Sequence, residues 1–312
     1  QAFLDKPKDW DAWNIDANFE DQKWDLLEEQ PEKELYAYFG PQKTFWRITK
    51  RFRNSVIVQD IIIYPGVPRL DILTKVDWRE EHILLKAAVA VAAKSDFATF
   101  EIPYGSIQRP TTRNTPAEKA MFEVPALRWA DISDASGGIS LLNDSKYGHD
   151  AKGNVLRLSL LRSPKWPDPN ADMGHHEFTY SIYPHAGTWR EAGTVRRGYE
   201  LNTPLLAIAT QAHTGSLPTA NSFISIEPAD AIVTAIKKAE DDDGLIIRFY
   251  ESAGRDTQVS LRVPPGATRA VETNLMEKEE KALGIDSRGR ILIPTRAYEI
   301  KTVKVMFAPP AK

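Results

Sequence analysis

At 312 residues the chain is long enough for two domains with their own cores, and a net charge of −3 without any Lys/Arg run excludes the basic footprint of a nucleic-acid binder. It contains no cysteine, which rules out disulfides, thiolate nucleophiles and thiolate metal sites and fits a reducing compartment. Its longest apolar run, 83–93, is broken by Lys86 and is too short to cross a bilayer, so no membrane partner is expected.

Residues 1–41 are rich in Trp, Asp and Glu and have no clean period. No signal peptide is visible, and the start at Gln1 reads as a fragment or processed product. Asp9, Trp10, Asp11, Trp13, Asp16 and Asp21 admit two readings: an acidic, aromatic surface for sugar or calcium, or an extended segment whose tryptophans plug a sheet edge. The second is favoured, because calcium loops need tighter spacing and a turn glycine. Two β-rich runs follow, 44–52 and 55–64, and Pro65, Gly66 and Pro68 then turn the chain. Residues 69–78 alternate most clearly. Leu70, Ile72, Thr74, Val76 and Trp78 fall on one face, and Arg69, Asp71, Leu73, Lys75 and Asp77 on the other, as in a half-buried antiparallel strand. Residues 83–91 and 97–102 continue the sheet. Pro103, Gly105 and Pro110 open a polar loop through Glu118, and 127–129 begins another strand.

Three more apolar runs, 139–142, 155–161 and 178–183, read as strands joined by polar loops at 143–154 and 163–176. The loops hold Asn, Asp, Lys, Tyr and Trp together with His149, His175 and His176. Rigid strands that present polar and aromatic loops at one edge make a sugar-contacting surface. Thr188 and Glu191 have capping-box spacing and predict a short helix over 188–199, ending before Pro204, with Trp189, Ala192 and Tyr199 inward. Residues 215–221 read as a linker. Beyond it, 223–226, 232–238, 245–250, 259–263, 291–293 and 299–307 are short strands separated by turns, and Asp243-Gly244 makes 232–238 a hairpin strand and not a helix. The expected fold class is all-β: a large antiparallel β-supersandwich over 1–220, then a small β-sandwich over 221–312.

Glycoside hydrolysis needs two carboxylates held across the scissile bond. Asp144, Asp150, Asp168 and Asp172 are candidates by location, but loop carboxylates usually serve turns. Asp172, His175 and His176 would make a metal site only if both histidines reached one ion, and neighbours on a strand face opposite ways. The chain has no Gly-rich phosphate loop, nucleophile elbow or zinc-protease helix motif. From the residues alone the reading stops at a two-domain β protein with a polar loop edge.

Longer motifs carry more. SVIVQDIIIYPGVPRLDILTKVDWREEHILLKAA from Ser55, FEIPYGSIQRPT from Phe100, SLLNDSKYGHDAKGNVLRLSLLRSPKWPDP from Ser140 and HEFTYSIYPHAGTW from His176 resemble the C-terminal β region of glycoside hydrolase family 38, the α-mannosidases. KKAEDDDGLIIRFYES from Lys237 resembles that family's last small sandwich, and KDWDAWNIDANFE from Lys8 the segment just inside its large β-domain. The resemblance covers nearly the whole chain and is nearest to the cytosolic and vacuolar type.

It implies a retaining, zinc-dependent exo-α-mannosidase whose catalytic Asp and most of whose zinc shell lie in an N-terminal β/α barrel. None of those motifs occurs in this chain. The expectation is therefore a non-catalytic β portion, lacking the first strands of its large sandwich, that supports the barrel and lines part of its sugar site. No catalytic residue, metal ligand or cofactor is expected here, zinc belonging to the barrel. Asn143, Asp144, Lys146, Tyr147, Asp172 and His175 are the candidate substrate-lining residues. In Golgi-type members a loop matching 163–176 in position carries an Arg that contacts substrate. This sequence has no Arg over 164–176, so that contact does not carry over. The expected partners are an α-mannoside or oligosaccharide and the barrel, with neither nucleic acid nor membrane, in the cytoplasm or a fungal vacuole. The alternatives are a stand-alone carbohydrate-binding module and a structural or oligomerisation module.

Overall fold

The computed structural model of the chain describes residues 1–26 and 34–308, so part of the Trp- and acid-rich opening, 27–33, and the last residues of the small domain, 309–312, lie outside the described residues. The chain divides into two compact units, residues 1–102 with 107–204 and residues 103–106 with 205–312. The architecture is all-β, with antiparallel strand pairing, as expected.

The first unit holds two sheets. One has nine strands in the order Glu34–Phe39, Thr44–Phe52, Ser55–Ile63, Leu70–Trp78, Gly174–Ala186, Gly137–Asn143, Trp129–Ser133, Phe97–Ile102 and Gly105–Pro110. The other has six: Val124–Pro125, Gly148–Lys152, Val155–Leu161, Ile83–Ala90, Ala2–Leu4 and Lys23–Trp24. The alternation read from 69–78 is realised. Ile72, Thr74, Val76 and Trp78 are buried while Lys75 is exposed. Ile72, Val76, Leu141 and Phe178 of the first sheet share one apolar core with Leu85, Leu156 and Leu158 of the second. Each such side chain contributes about 1.5–3 kcal/mol. Trp78 is fully buried, and its indole N–H donates to Ser163 Oγ at 3.0 Å.

Several expected boundaries move. The polar stretch 143–154 contains a strand, Gly148–Lys152, and 163–176 gives up its end to the strand that starts at Gly174. Gly148–Lys152 reads as loop because its polar residues are buried against partners distant in sequence. Lys86, whose side chain is fully buried, lies between Glu123 and Asp150, at 2.6 Å from the latter, and Arg157 pairs with Glu20 at 2.5 Å. Buried charges persist only when paired in this way. The loop expected through Glu118 holds a strand, Gly105–Pro110, and a short helix, Pro116–Ala120, capped by Thr115. Thr188 and Glu191 do bond, at 2.8 and 3.0 Å, but they close a turn. Gly193 follows in the left-handed region, φ 65°, which ends that turn, and the helix runs Thr194–Asn202. Trp189 is buried against Trp129, with ring centroids 5.0 Å apart. Trp10 and Trp13 do not plug a sheet edge; both are exposed, and Trp24 packs on Phe52 instead.

In the second unit, a three-stranded sheet of Ser225–Glu227, Thr257–Arg262 and Arg290–Thr295 accompanies a five-stranded one. The latter runs Ala231–Lys238, Leu245–Glu251, Ile300–Phe307, Ala267–Thr273 and Glu279–Leu283. Ile247, Phe249, Val259, Leu261, Ile291, Ile293, Val303 and Val305 form its core. The hairpin expected at Asp243-Gly244 is present. Asp242 Oδ1 accepts the Gly244 N–H at 2.8 Å, and residues 231–238 pair with 245–251 as strands. Ala267–Thr273 and Glu279–Leu283 are additional to the expected strands. The second is an exposed edge, and its charged sequence suits that position.

Candidate functional site

Two loops meet at one end of the nine-stranded sheet. Gly137–Asn143 ends opposite Tyr180, and the loop after it runs toward the start of Gly174–Ala186, where the loop after Arg162 also arrives. Asn143 is buried and builds the first loop. Its Oδ1 accepts the Lys146 N–H at 2.7 Å, its Nδ2 donates to Leu127 O at 2.9 Å, and its carbonyl accepts from Asn202 Nδ2 at 2.9 Å. Asp144 is tied to the neighbouring strand at Thr179 and receives the Ser145 hydroxyl at 2.9 Å. These bonds leave Lys146 and Tyr147 to project. The Lys146 ammonium lies 4.3 Å from the centre of the Phe178 ring. Burial lowers its pKa, and the carboxylates of Asp172 and Asp144 oppose that shift. Tyr147 is 62% exposed. A shallow cavity of about 270 Å³ lies beside it, lined by Leu127, Arg128, Asn143, Asp144, Ser145, Tyr147 and Asn202.

In the second loop, Asp172 is a positioning group. It sits in the left-handed region, φ 59°, and its Oδ2 accepts the N–H groups of Arg162 at 2.9 Å and Ser163 at 3.1 Å. His176 Nε2 lies 2.8 Å from the Asp172 carbonyl oxygen. The His175 side chain is 83% exposed and stands 3.8 Å from Asp77. The structure thus brings Asp144, Lys146 and Asp172 into one electrostatic neighbourhood at this sheet end. Phe178, Thr179, Arg162 and Asn202 also shape the site. No spacing marks them in the sequence, because each acts through a contact made across the sheet or from the helix.

The carboxylates considered for hydrolysis are otherwise engaged. Asp144 and Asp172 receive backbone amides, Asp150 is buried with Lys86, and Asp168 accepts the Asn170 N–H at 2.8 Å. The zinc implied by the resemblance does not fit Asp172, His175 and His176. Asp172 and His176 are held by other groups, and His175 points to solvent. Among the described residues no group of three or more His, Cys, Asp or Glu could hold a metal ion, and no helix is long and apolar enough to cross a membrane.

Comparison with known proteins agrees with this architecture. Residues 1–170 match the model of the glycosyl hydrolases family 38 C-terminal domain, and 230–303 that of the family 38 C-terminal beta sandwich domain. Alpha-mannosidase 2C1 of Homo sapiens is 34% identical over 313 residues, covering 99% of this chain and 30% of that protein. Alpha-mannosidase G of Dictyostelium discoideum is 38% identical over 261 residues, 80% of this chain and 23% of that protein. The crystal structure of an alpha-mannosidase from Enterococcus faecalis superposes with a TM-score of 0.75 at 16% identity, over 89% of this chain and 35% of that one, which shows the shared fold. The chain therefore spans 23% to 35% of the length of these proteins, and it belongs to glycosyl hydrolase family 38 as that family's C-terminal β region.

Proposed function

We propose that this chain is the non-catalytic C-terminal β portion of a retaining, zinc-dependent exo-α-mannosidase, and that it supports the catalytic barrel and lines part of its sugar site. The observation that carries the reading is the pair of family 38 C-terminal domain matches in a chain whose own loop carboxylates are committed to backbone amides. In this reading residues 1–220 form the large β-domain and 221–312 the small sandwich. The partners are an α-mannoside or oligosaccharide and the barrel, zinc is held by the barrel, and the setting is that of the cytosolic and vacuolar members. The loops 143–148 and 164–176 face the barrel's mouth. Lys146, Tyr147 and His175 offer side chains to substrate, while Asn143, Asp144 and Asp172 hold the loops in shape.

The test is kinetic, in the intact enzyme. A buried hydrogen bond left unpaired costs about 1–3 kcal/mol, and each 1.4 kcal/mol or so in the transition state is about tenfold in rate. Tyr147→Phe and His175→Ala should lower kcat/KM by roughly ten- to a hundredfold with an unchanged melting temperature. Unchanged kinetics in both would end the substrate-lining role. Loss of activity in step with loss of stability would reduce these loops to scaffold.

A further inference from the structure

Trp10 and Trp13 sit on a tight turn that one arginine holds from beneath. The Arg162 guanidinium donates to the carbonyls of Asp11 at 2.7 Å, Ala12 at 2.9 Å and Asn14, and it pairs with the buried Asp5. The Trp10 carbonyl accepts the N–H groups of Trp13 at 2.8 Å and Asn14 at 2.9 Å. Trp10 itself has φ 61°, a strained backbone for so bulky a residue. Asp11 then locks this turn to a loop far along the chain. Its Oδ2 accepts the N–H groups of Lys165 at 2.7 Å and Trp166 at 3.0 Å and faces His82 Nε2 at 3.2 Å.

What this frame presents is bare indole. Trp10, Trp13 and Trp166 are 68%, 66% and 54% exposed. Trp13 and Trp166 meet edge to face, centroids 5.2 Å apart and planes at 67°, so their rings form an open corner. Large aromatic surface left in water is costly, and strained backbone concentrates at binding sites. The chain around these rings is charged: Lys165, next to Trp166, pairs with Glu81 at 3.1 Å, and Asp9 and Asp168, near Trp10 and Trp166 in sequence, are exposed. Protein–protein interface cores exclude such charges, whereas a sugar ring has both an apolar C–H face for an indole and hydroxyls for charged neighbours.

We infer that Trp13 and Trp166 form an aromatic corner that binds one pyranose ring of an α-mannosyl oligosaccharide. One indole stacks on the C–H face and the other closes the ring's edge. The mannosyl identity rests on the function proposed above; the corner itself does not.

The test is direct titration of the chain with α-mannotriose, reading the indole N–H resonances. Trp13 and Trp166 signals should shift with a Kd of about 1 mM. Trp13→Ala and Trp166→Ala should each weaken binding by about tenfold or more, and Trp166→Phe, which keeps a ring, by only a few-fold. Both sites are exposed, so melting temperatures should stay put and confirm folded variants. Unmoved indole signals in the parent chain, or binding unaltered in a Trp13→Ala/Trp166→Ala double variant, would overturn the proposal. Equal binding of maltotriose would sustain the corner and overturn only its mannosyl assignment. The kinetic test of Tyr147 and His175 is separate, so either result can fail alone.

Discussion

Asp144 and Thr179 grip each other twice: the Asp144 N–H donates to Thr179 O at 3.1 Å, and the Thr179 N–H donates to Asp144 Oδ2 at 2.8 Å. The loop that projects Lys146 and Tyr147 is fastened to its neighbouring strand by this exchange. Asp144 thus acts on the site through position. Asp144→Ala removes the carboxylate half of the grip and should cost about 1 kcal/mol. Asp144→Asn keeps an acceptor oxygen and should cost less. Denaturant unfolding of both variants measures the difference, and equal stability of Asp144→Ala and the parent chain would mean the bond contributes nothing.

Lys86 is the larger structural commitment. Its ammonium is shared between Glu123 and Asp150 inside the first unit, and Ser159 Oγ also donates to Glu123 at 2.5 Å. Lys86→Met leaves Glu123 without its cation, while Asp150 keeps Arg157 at 2.9 Å, and should destabilise by about 3–5 kcal/mol. Adding Glu123→Gln should restore much of that loss, because the one carboxylate left without a cation is then neutral. A Lys86→Met variant as stable as the parent would show that Glu123 is relieved by some other route.

Two buried histidines set opposite pH dependences. Burial pushes His149 down to about 4 from 6.5, helped by the charges of Lys86 and Arg109. Below pH ~6.5 the unfolded chain takes up a proton that the folded chain refuses until about 4, so stability falls with acidification across that window, by up to about 3 kcal/mol. Burial also pulls on His185, but Asp131 at 2.8 Å outweighs it and raises the pKa. Its contribution is full below the ordinary histidine value and is lost as pH rises through its folded value. Stability measured against pH should lose its acid-side slope in His149→Gln and part of its neutral-side decline in His185→Gln. Unchanged profiles would contradict both assignments.

The chain by itself should hydrolyse no aryl α-mannoside and should bind no stoichiometric zinc. Asp144, Asp150 and Asp172 are spent on amides and ammonium groups, and His176 on a carbonyl. Metal analysis after dialysis and an activity assay with and without chelator check this. Chelator-sensitive hydrolysis would mean that catalytic machinery is present among these residues.

At the candidate site, the sequence marked the two polar loops and six of their residues, because polar and aromatic residues between apolar runs are a local signal. It could not separate the side chains that project, such as Tyr147, from those that hold the loop, such as Asn143. That distinction depends on Leu127, Asn202 and Thr179, which come from other elements. Nor could it show that Arg162 and Asp11 would expose the tryptophans of the opening segment in place of burying them.

For the fold, the sequence by itself determined the elements whose local signal is long and regular, and missed the short helix Pro116–Ala120 behind its Thr115 cap. Side-chain alternation sufficed for Leu70–Trp78, and an Asp-Gly turn between apolar runs for the hairpin of Ala231–Lys238 and Leu245–Glu251. Tertiary structure alone decided Gly148–Lys152, Glu279–Leu283 and the start of the helix at Thr194. The physical reason is common to the two strands. Strand pairing is made by backbone groups and tolerates any side chain whose charge finds a partner or water, and those partners, Lys86 for Asp150 or Arg269 for Glu279, lie elsewhere in the chain.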